Sequence, residues 1–297
     1  MFLTPVTEQE VLKVYKQCKN SHAIDYRGLC KVFFDKIIDL ILPCLTRLCN
    51  LSFQKSIFPQ CMKIAKVTPL YKSGERCLAS NYRPISILPF LSKLLEKLFL
   101  TRLQSFIDNN NVITEHQYGF QKNRSTSLAV VDYYESVTNG LKNGKCVVSL
   151  SLDLSKAFDS IPHDILFHKL EHYGVRGMTL RWVQSYLSHR QQMLVINNTR
   201  TDLSRVPVGV AQGSILGPIM FLLYINDIIN CSSAARFIVF ADGTTVLYEL
   251  NSSNVDFNSL NEEIGKISTW CKCNKLLLNV KKTQCTIYTP KRGAFVS

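Results

Sequence analysis

A hairpin with an acidic residue at its tip constrains this chain more than any other feature of its sequence. Phe240-Ala241-Asp242-Gly243 lies between two runs of β-forming residues, 236–239 and 244–250. Another such run, 147–152, is followed by Asp153. Because side chains alternate along a strand, Asp153 is predicted on the more polar face of this run. Two carboxylates at the ends of separate strands predict a site for divalent cations and phosphoryl transfer.

The composition is that of a globular protein with a basic surface. The chain has 297 residues, of which 46% are hydrophobic and 19% are charged, enough for one large domain or two small ones. It has 35 Lys and Arg against 22 Asp and Glu, so the net charge is +13. This charge favours a polyanionic partner such as nucleic acid, with an anionic membrane or an acidic protein as alternatives.

Cysteine usage and the amino terminus predict an intracellular protein. The eleven cysteines contain no CxxC pair, so we expect reduced thiols and no zinc site. Residues 1–5 have neither the basic segment nor the apolar segment of a signal peptide. No apolar run is long enough to cross a membrane, and we expect no membrane partner. The predicted location is the nucleus, the cytoplasm or both, and not the secreted fraction.

Hydrophobic periodicity predicts helices and short strands that alternate along the chain. Thr7-x-x-Glu10 fits a capping box at the start of a mostly helical segment, 1–60. Further predictions are strands at 63–71 and 284–288, helices at 91–107, 125–139 (ending at Gly140) and 218–229, and a hairpin at 192–198. This mixture indicates an α/β or α+β fold. No GxGxxG or GK[ST] motif is present, which argues against a doubly wound nucleotide-binding sheet.

Seven strings follow one another along the chain: KVTPLYK (66–72), NYRPISIL (81–88), QYGF (117–120), LDLSKAFD (152–159), GVAQGSILGP (209–218), FAD (240–242) and LNxxKT (278–283). In this order they resemble the reverse transcriptase of non-LTR (LINE-type, jockey-like) retrotransposons. The resemblance covers roughly residues 55–290, and seven strings in family order are far more specific than any one of them.

This resemblance implies an α+β right-hand polymerase fold, with an antiparallel palm sheet flanked by helices. The expected division is a helical extension at 1–60, fingers at 61–146, a palm at 147–290 and a tail at 291–297. Part of the fingers is expected as an insertion at about 168–205. The family continues with a primer-grip hairpin and a helical thumb, which we expect to be missing or truncated here.

The implied activity is RNA-directed DNA synthesis, a nucleotidyltransferase reaction of a transposable element. Asp153 and Asp242 would bind two Mg²⁺ ions, for which Mn²⁺ can substitute, and Lys282 would protonate the leaving pyrophosphate. The partners would be an RNA template, a DNA primer and dNTPs; whether the chain forms a homo-oligomer is left open. Taken alone, Asp153 also suits a capping acid, and Lys282 an ordinary surface lysine beside Lys281.

Five other residues match substrate-binding positions of the family. Lys72 and Arg83 would bind the incoming triphosphate, and the alternative is a solvated basic loop, which suits Lys72 better than Arg83. Phe158 would stack under the sugar and exclude ribonucleotides, or it is a core residue. Gln212 and Gly213 would support the template and the nucleotide, with glycine allowing close backbone approach.

The sequence departs from the family at the hairpin. The family usually has a second Asp where this chain has Gly243, so we expect weaker metal binding and a much slower reaction. Asp-Gly is a favourable turn pair, so we expect the fold to tolerate the change better than the chemistry does. Ala211 replaces a usual Pro and should loosen its turn slightly. The alternative hypothesis is therefore a catalytically inactive, nucleic-acid-binding remnant of a retrotransposon polymerase.

Overall fold

The computed structural model describes residues 1–197, 199–252 and 256–290. Its α-helices are α1 Glu8–Lys16, α2 Lys31–Asp35, α3 Ile38–Lys55, α4 Phe90–Asn109, α5 Thr126–Lys142, α6 His163–His172, α7 Gly177–Leu187, α8 Gly217–Ile225 and α9 Phe257–Cys273. Its strands are β1 Ile64–Tyr71, β2 Tyr82–Ile87, β3 Lys145–Leu152, β4 Leu154–Ser155, β5 Gln191–Ile196, β6 Thr199–Arg200, β7 Ser204–Arg205, β8 Ala235–Phe240, β9 Gly243–Asn251, β10 Leu277–Leu278 and β11 Gln284–Tyr288.

These elements confirm the α+β prediction and form two compact units. The first unit contains Met1–Val112 and His163–Met220, and the second contains Ile113–Pro162 and Phe221–Ser297. The predicted tail at 291–297 and Asn198 of the predicted hairpin lie outside the described residues. The expected boundaries of fingers and palm remain predictions.

The first unit packs helices around an aromatic core and carries one mixed sheet. Its sheet has the order β2-β1-β5-β6, with β7 also paired to β5, and β1 runs parallel to β5. Trp182 of α7 is fully buried and stacks on Phe99 of α4 with ring centroids 4.1 Å apart. Its indole N–H donates to Ser52 Oγ at 2.9 Å, so the one polar atom of this ring is paired. At the start of the unit, Thr7 caps α1 as predicted by accepting a hydrogen bond from the Glu10 backbone N–H.

The second unit is built on a four-stranded antiparallel sheet with the order β11-β3-β9-β8. Helix α5 covers one face of this sheet, where Val147, Ile238 and Leu247 form a buried cluster with helix residues Ala129 and Val137. A short ribbon of β4 and β10 follows the end of β3. The sheet supplies the strand ends that carry the predicted carboxylates.

Two local features of this unit differ from what the sequence alone suggests. The predicted helix end at Gly140 is not a cap, because α5 continues to Lys142. A Cβ at Gly140 would lie 2.4 Å from Val147 Cγ2, so glycine serves the close approach of helix to strand. The face of β3 that was predicted as the more polar one is mostly buried. Val147 and Ser149 are under 5% exposed, and the exposed residue of this face is Ser151, near the carboxyl end of the strand.

Among the described residues, no helix combines the length and the apolar character needed to span a membrane.

Candidate active site

The strand register brings Asp153 and Asp242 to the same edge of the sheet of the second unit. The last pair between β3 and β9 is Leu152 with Thr244, and the last pair between β8 and β9 is Phe240 with Gly243. Asp153 therefore directly follows the end of β3. Strand β3 pairs there with β9 of the β8–β9 hairpin, and Asp242 belongs to the two-residue loop of this hairpin. Directly opposed residues of antiparallel strands are about 5 Å apart, so both carboxylates start from one small region.

The backbone at Asp153 is tied to the segment that carries Lys282. The Asn279 N–H donates to the Asp153 carbonyl at 2.8 Å, and the Lys282 N–H donates to the Asn279 carbonyl at 3.0 Å. Lys282 Nζ lies 3.7 Å from Asp153 Oδ2, with side chains that are 60% and 41% exposed. An ion pair this exposed adds little stability. Its significance is that the predicted lysine lies next to a predicted metal ligand, so the ammonium group of Lys282 is close to the carboxylate of Asp153.

The hairpin loop has an unusual backbone, and a segment distant in the sequence holds it. Ala241 has a φ of 54°, a left-handed conformation that favours glycine. Its N–H donates to Oε1 of the buried Gln117 at 3.0 Å. Gln117 belongs to the QYGF string (117–120), but no local sequence pattern indicates this contact.

Gly243 departs from the family without straining the fold. Its φ lies outside the left-handed region, and a Cβ at this position would meet nothing closer than the Phe240 carbonyl oxygen at 3.5 Å. That separation is an ordinary van der Waals contact, so an aspartate fits the same backbone. The substitution therefore removes a side chain and its negative charge, and the conformation does not require glycine.

Phe158 lies in the second unit, in a 3₁₀ turn at Ala157–Asp159 shortly after Asp153. Its ring stacks on the buried ring of Phe221 with centroids 4.7 Å apart and planes inclined by 26°. Phe158 itself is only partly buried. The residue thus has one packed face and some remaining exposure, which fits the predicted contact with a sugar as well as a role in packing.

Lys72 and Arg83 both lie near one end of the β1–β2 ribbon in the first unit. Leu70 is paired with Arg83, and the Lys72 N–H continues the ladder by donating to the Asn81 carbonyl at 2.9 Å. Opposed residues share a face, and Lys72 is two residues beyond Leu70, so both basic side chains project from the same face. Both are exposed. The ribbon thus presents two neighbouring positive charges to solvent.

Gln212 and Gly213, also in the first unit, form a loop that packs on β2. The Ser86 N–H donates to the Gln212 carbonyl at 3.0 Å. Gly213 has a φ of 113°, and a Cβ there would lie 2.6 Å from the Ser86 carbonyl oxygen, so only glycine fits. The Ser214 N–H still donates to the Ala211 carbonyl at 3.0 Å, and this turn therefore closes without the usual proline.

Glu96 anchors the end of this loop and was not among the residues predicted from the sequence. Glu96 is fully buried, and its Oε2 accepts from the backbone N–H groups of Ile215 at 2.8 Å and Leu216 at 3.3 Å. Its Oε1 accepts from Ser92 Oγ at 2.9 Å. The available signal was a carboxylate within the apolar stripe of a helix, a position that demands strong hydrogen-bond donors.

The donor set at the acidic edge suits a divalent ion that also binds substrate. In the described ranges, no three His, Cys, Asp or Glu residues group as a ready-made metal cage. The edge offers two carboxylates, Asp153 and Asp242. Mg²⁺ commonly binds through one or two carboxylates together with water and substrate phosphates, and it does not need an all-protein cage. These residues therefore fit a shared protein–substrate metal site.

Comparison with known proteins gives one consistent result. The family described as "Reverse transcriptase (RNA-dependent DNA polymerase)" matches residues 69–293. The chain is 27% identical over 97% of its length to the probable RNA-directed DNA polymerase from transposon BS of Drosophila melanogaster. It is 25% identical over 86% of its length to the RNA-directed DNA polymerase from mobile element jockey of the same species. It is 30% identical over 82% of its length to the Pol polyprotein of the type-1 retrotransposable element R1 of Bradysia coprophila.

The chain corresponds to only part of these relatives. It spans 33% of the transposon BS protein, 29% of the jockey protein and 24% of the R1 polyprotein.

Proposed function

This chain belongs to the reverse transcriptase family and is a domain of the type found in non-LTR retrotransposons. We propose that it carries out RNA-directed DNA synthesis. The finer architecture is part of this proposal: a right-hand polymerase with a palm at 147–290 and fingers at 61–146. The proposed partners are an RNA template, a DNA primer and dNTPs. The observation that carries the proposal is the strand register that places Asp153 and Asp242 at one sheet edge.

The family uses divalent metal ions, and we assign Mg²⁺ to Asp153 and Asp242. Bound there, Mg²⁺ would activate the primer 3′-hydroxyl and stabilise the negative charge on the transferred phosphoryl group. The two carboxylates would hold the metal at one edge of the sheet and so orient the reacting groups. Lys282, whose Nζ lies 3.7 Å from Asp153 Oδ2, would donate a proton to the departing pyrophosphate.

Binding of the triphosphate is assigned to the exposed basic ribbon. Arg83 offers a planar fork that can bind phosphate oxygens through two hydrogen bonds, whereas Lys72 offers a mobile point charge. The Gln212-Gly213 loop, packed on the same strand as Arg83, would support the template and the nucleotide. Phe158, stacked on Phe221, would exclude the ribose 2′-hydroxyl.

Primer extension on an RNA template tests this function. The unmodified chain and Asp153→Asn are compared with Mg²⁺ and with Mn²⁺, on matched RNA and DNA templates. We expect slow, template-dependent addition of dNTPs that Asp153→Asn abolishes. Addition that persists in Asp153→Asn, or that ignores the template sequence, would contradict the proposal.

The second candidate is an inactive nucleic-acid-binding remnant, and the specific observation that favours it is Gly243. The backbone there accommodates an aspartate, yet the side chain is absent. This candidate predicts salt-dependent binding of a primer–template duplex by the +13 chain and no nucleotide addition with either metal. The extension assay, run beside a binding titration at two salt concentrations, separates the two candidates.

A further inference from the structure

The loop that presents Asp242 is too strained to hold its own shape. It contains only Ala241 and Asp242, and Ala241 is in the left-handed region at a φ of 54°. An alanine adopts this conformation rarely, so neighbouring structure must hold it there. The backbone conformation of Ala241 matters because Asp242 is the next residue, and a change in the turn would redirect the Asp242 carboxylate.

Gln117 supplies the support from a segment more than 120 residues earlier. Its side chain is 2% exposed, and its Oε1 accepts two hydrogen bonds, from the Gly119 N–H at 2.7 Å and from the Ala241 N–H at 3.0 Å. Both partners are backbone donors, so the amide oxygen, and not the nitrogen, must occupy this position. One oxygen thus joins the turn to the 117–119 segment.

The backbone of the same segment runs beside β8 and leads directly to the turn. The Val239 N–H donates to the His116 carbonyl at 2.9 Å, and the Tyr118 N–H donates to the Val239 carbonyl at 2.7 Å. A Cβ at Gly119 would lie 2.4 Å from the Ala241 nitrogen, so the approach is possible only with glycine. The 116–119 segment is therefore a brace for the hairpin, fixed on both sides of Gln117.

The far side of the brace is anchored as well. Tyr118 donates from its hydroxyl to Asp132 Oδ2 at 2.8 Å, and burial together with this carboxylate raises the pKa of Tyr118. The phenol therefore stays a neutral donor at physiological pH. Because the 116–119 segment is itself held by Asp132, it can restrict the conformation of the Ala241–Asp242 turn. A segment without such a contact would move together with the turn.

We propose that Gln117 is a positioning residue: it fixes the Ala241–Asp242 turn and thereby aims the Asp242 carboxylate at the metal. The assignment of Asp242 as a metal ligand rests on the proposed function, but the bracing of the turn does not. The amide oxygen of Gln117 suits this position, because it satisfies two buried backbone N–H groups.

The test uses three substitutions and two measurements on the full chain. Gln117→Met removes the acceptor at similar length, Gln117→Glu keeps an acceptor, and Gln104→Met is the control. Gln104 makes an exposed hydrogen bond to Asp108 on α4, far along the sequence from the hairpin. The measurements are hydrogen exchange at the Ala241 amide and titration with Mn²⁺ alone, followed by the paramagnetic resonance signal of free Mn²⁺.

In Gln117→Met we expect exchange at the Ala241 amide to accelerate roughly tenfold and the Mn²⁺ Kd to rise about tenfold. Gln117→Glu should retain the protection and the Mn²⁺ binding, and Gln104→Met should change neither. Unchanged exchange in Gln117→Met would overturn the brace. Accelerated exchange with an unchanged Mn²⁺ Kd would reduce Gln117 to a structural residue and overturn the positioning role.

Two further outcomes are distinguishable. If the unmodified chain binds no Mn²⁺, the proposed function fails, and the exchange data still decide whether Gln117 braces the turn. If Gln117→Met does not fold, exchange in the unmodified chain decides: an Ala241 amide as protected as that of Val239 supports the brace, and an unprotected one overturns it.

Discussion

Two turns present predicted site residues, and one buried side chain holds each of them. In the second unit, the neutral Gln117 holds the turn of Asp242 through two backbone N–H groups. In the first unit, the charged Glu96 holds the end of the Gln212-Gly213 loop through two backbone N–H groups and a hydroxyl. The neutral anchor lies in the unit that carries Asp153 and Asp242, whereas the charged anchor lies in the unit that carries the basic ribbon.

In both turns, the residue that maintains the backbone conformation is different from the residues that are predicted to act on substrate. Both anchors bind backbone, so the turns keep their shape whatever side chains they present. The residues proposed to act in the reaction, Asp153, Asp242 and Lys282, are at least partly exposed and contribute little to packing. Replacement of one of these three residues should therefore change the rate of nucleotide incorporation and leave the stability unchanged. Replacement of an anchor should mainly lower the stability of the fold.

The largest effect is expected from Asp242→Asn, which removes one of two ligand charges and leaves the turn intact. We expect nucleotide incorporation to fall by roughly 10³–10⁴, because groups that act as a unit are lost together. The unfolding midpoint should stay unchanged, since Asp242 is exposed. Single-nucleotide incorporation and thermal unfolding measure the two effects. A rate within tenfold of the unmodified chain would show that Asp242 is not a ligand.

Glu96→Ala tests the charged anchor. It leaves two buried N–H groups unpaired and opens a cavity, so we expect the free energy of unfolding to fall by about 3 kcal/mol. Glu96→Gln, which keeps one acceptor oxygen at the same length, should lose about half as much. Urea unfolding of both variants provides the measurement. Equal losses would mean that the negative charge of Glu96, and not the hydrogen-bond geometry, stabilises the loop.

Arg83→Ala tests the basic ribbon. If Arg83 binds the triphosphate, its removal should raise the KM for dNTP about tenfold, the usual cost of one charge-assisted contact. Arg83→Lys should recover part of this loss, because a point charge cannot form the bidentate contact. Steady-state kinetics at fixed primer–template separates KM from kcat. A loss confined to kcat would contradict a role in binding, and stability should not change because Arg83 is exposed.

The smallest effect concerns buried charge in the first unit. Burial, followed by the nearby Arg190, lowers the pKa of Lys63 from its ordinary value of 10.5. Between the lowered pKa and 10.5 the unfolded chain holds a proton that the folded chain has lost, so this group makes stability rise with pH. Lys63→Met should therefore stabilise the protein slightly near neutral pH, and the advantage should shrink by pH 10. An advantage that is constant with pH would contradict this assignment.

Much of this architecture could be predicted from the sequence, because it depends on local patterns. The hairpin, the strand that ends before Asp153 and the capped helix α1 follow from alternation, periodicity and capping chemistry. The Gln117 anchor could not be predicted, because Gln117 and Ala241 are joined only by tertiary structure. Gly140 shows the same limit: a glycine near a helix end indicates a cap by local rules, and only packing against Val147 reveals its role.

The most direct test of the account compares single-nucleotide incorporation on an RNA template, with Mg²⁺, by the unmodified chain and by Gly243→Asp. The backbone accepts this side chain, so we expect an unchanged unfolding midpoint. The restored carboxylate should raise the rate by roughly 10³ or more. This result would establish the acidic edge as the active site and the missing ligand as its defect. Equal rates in the two chains, or no incorporation by either, would contradict the account.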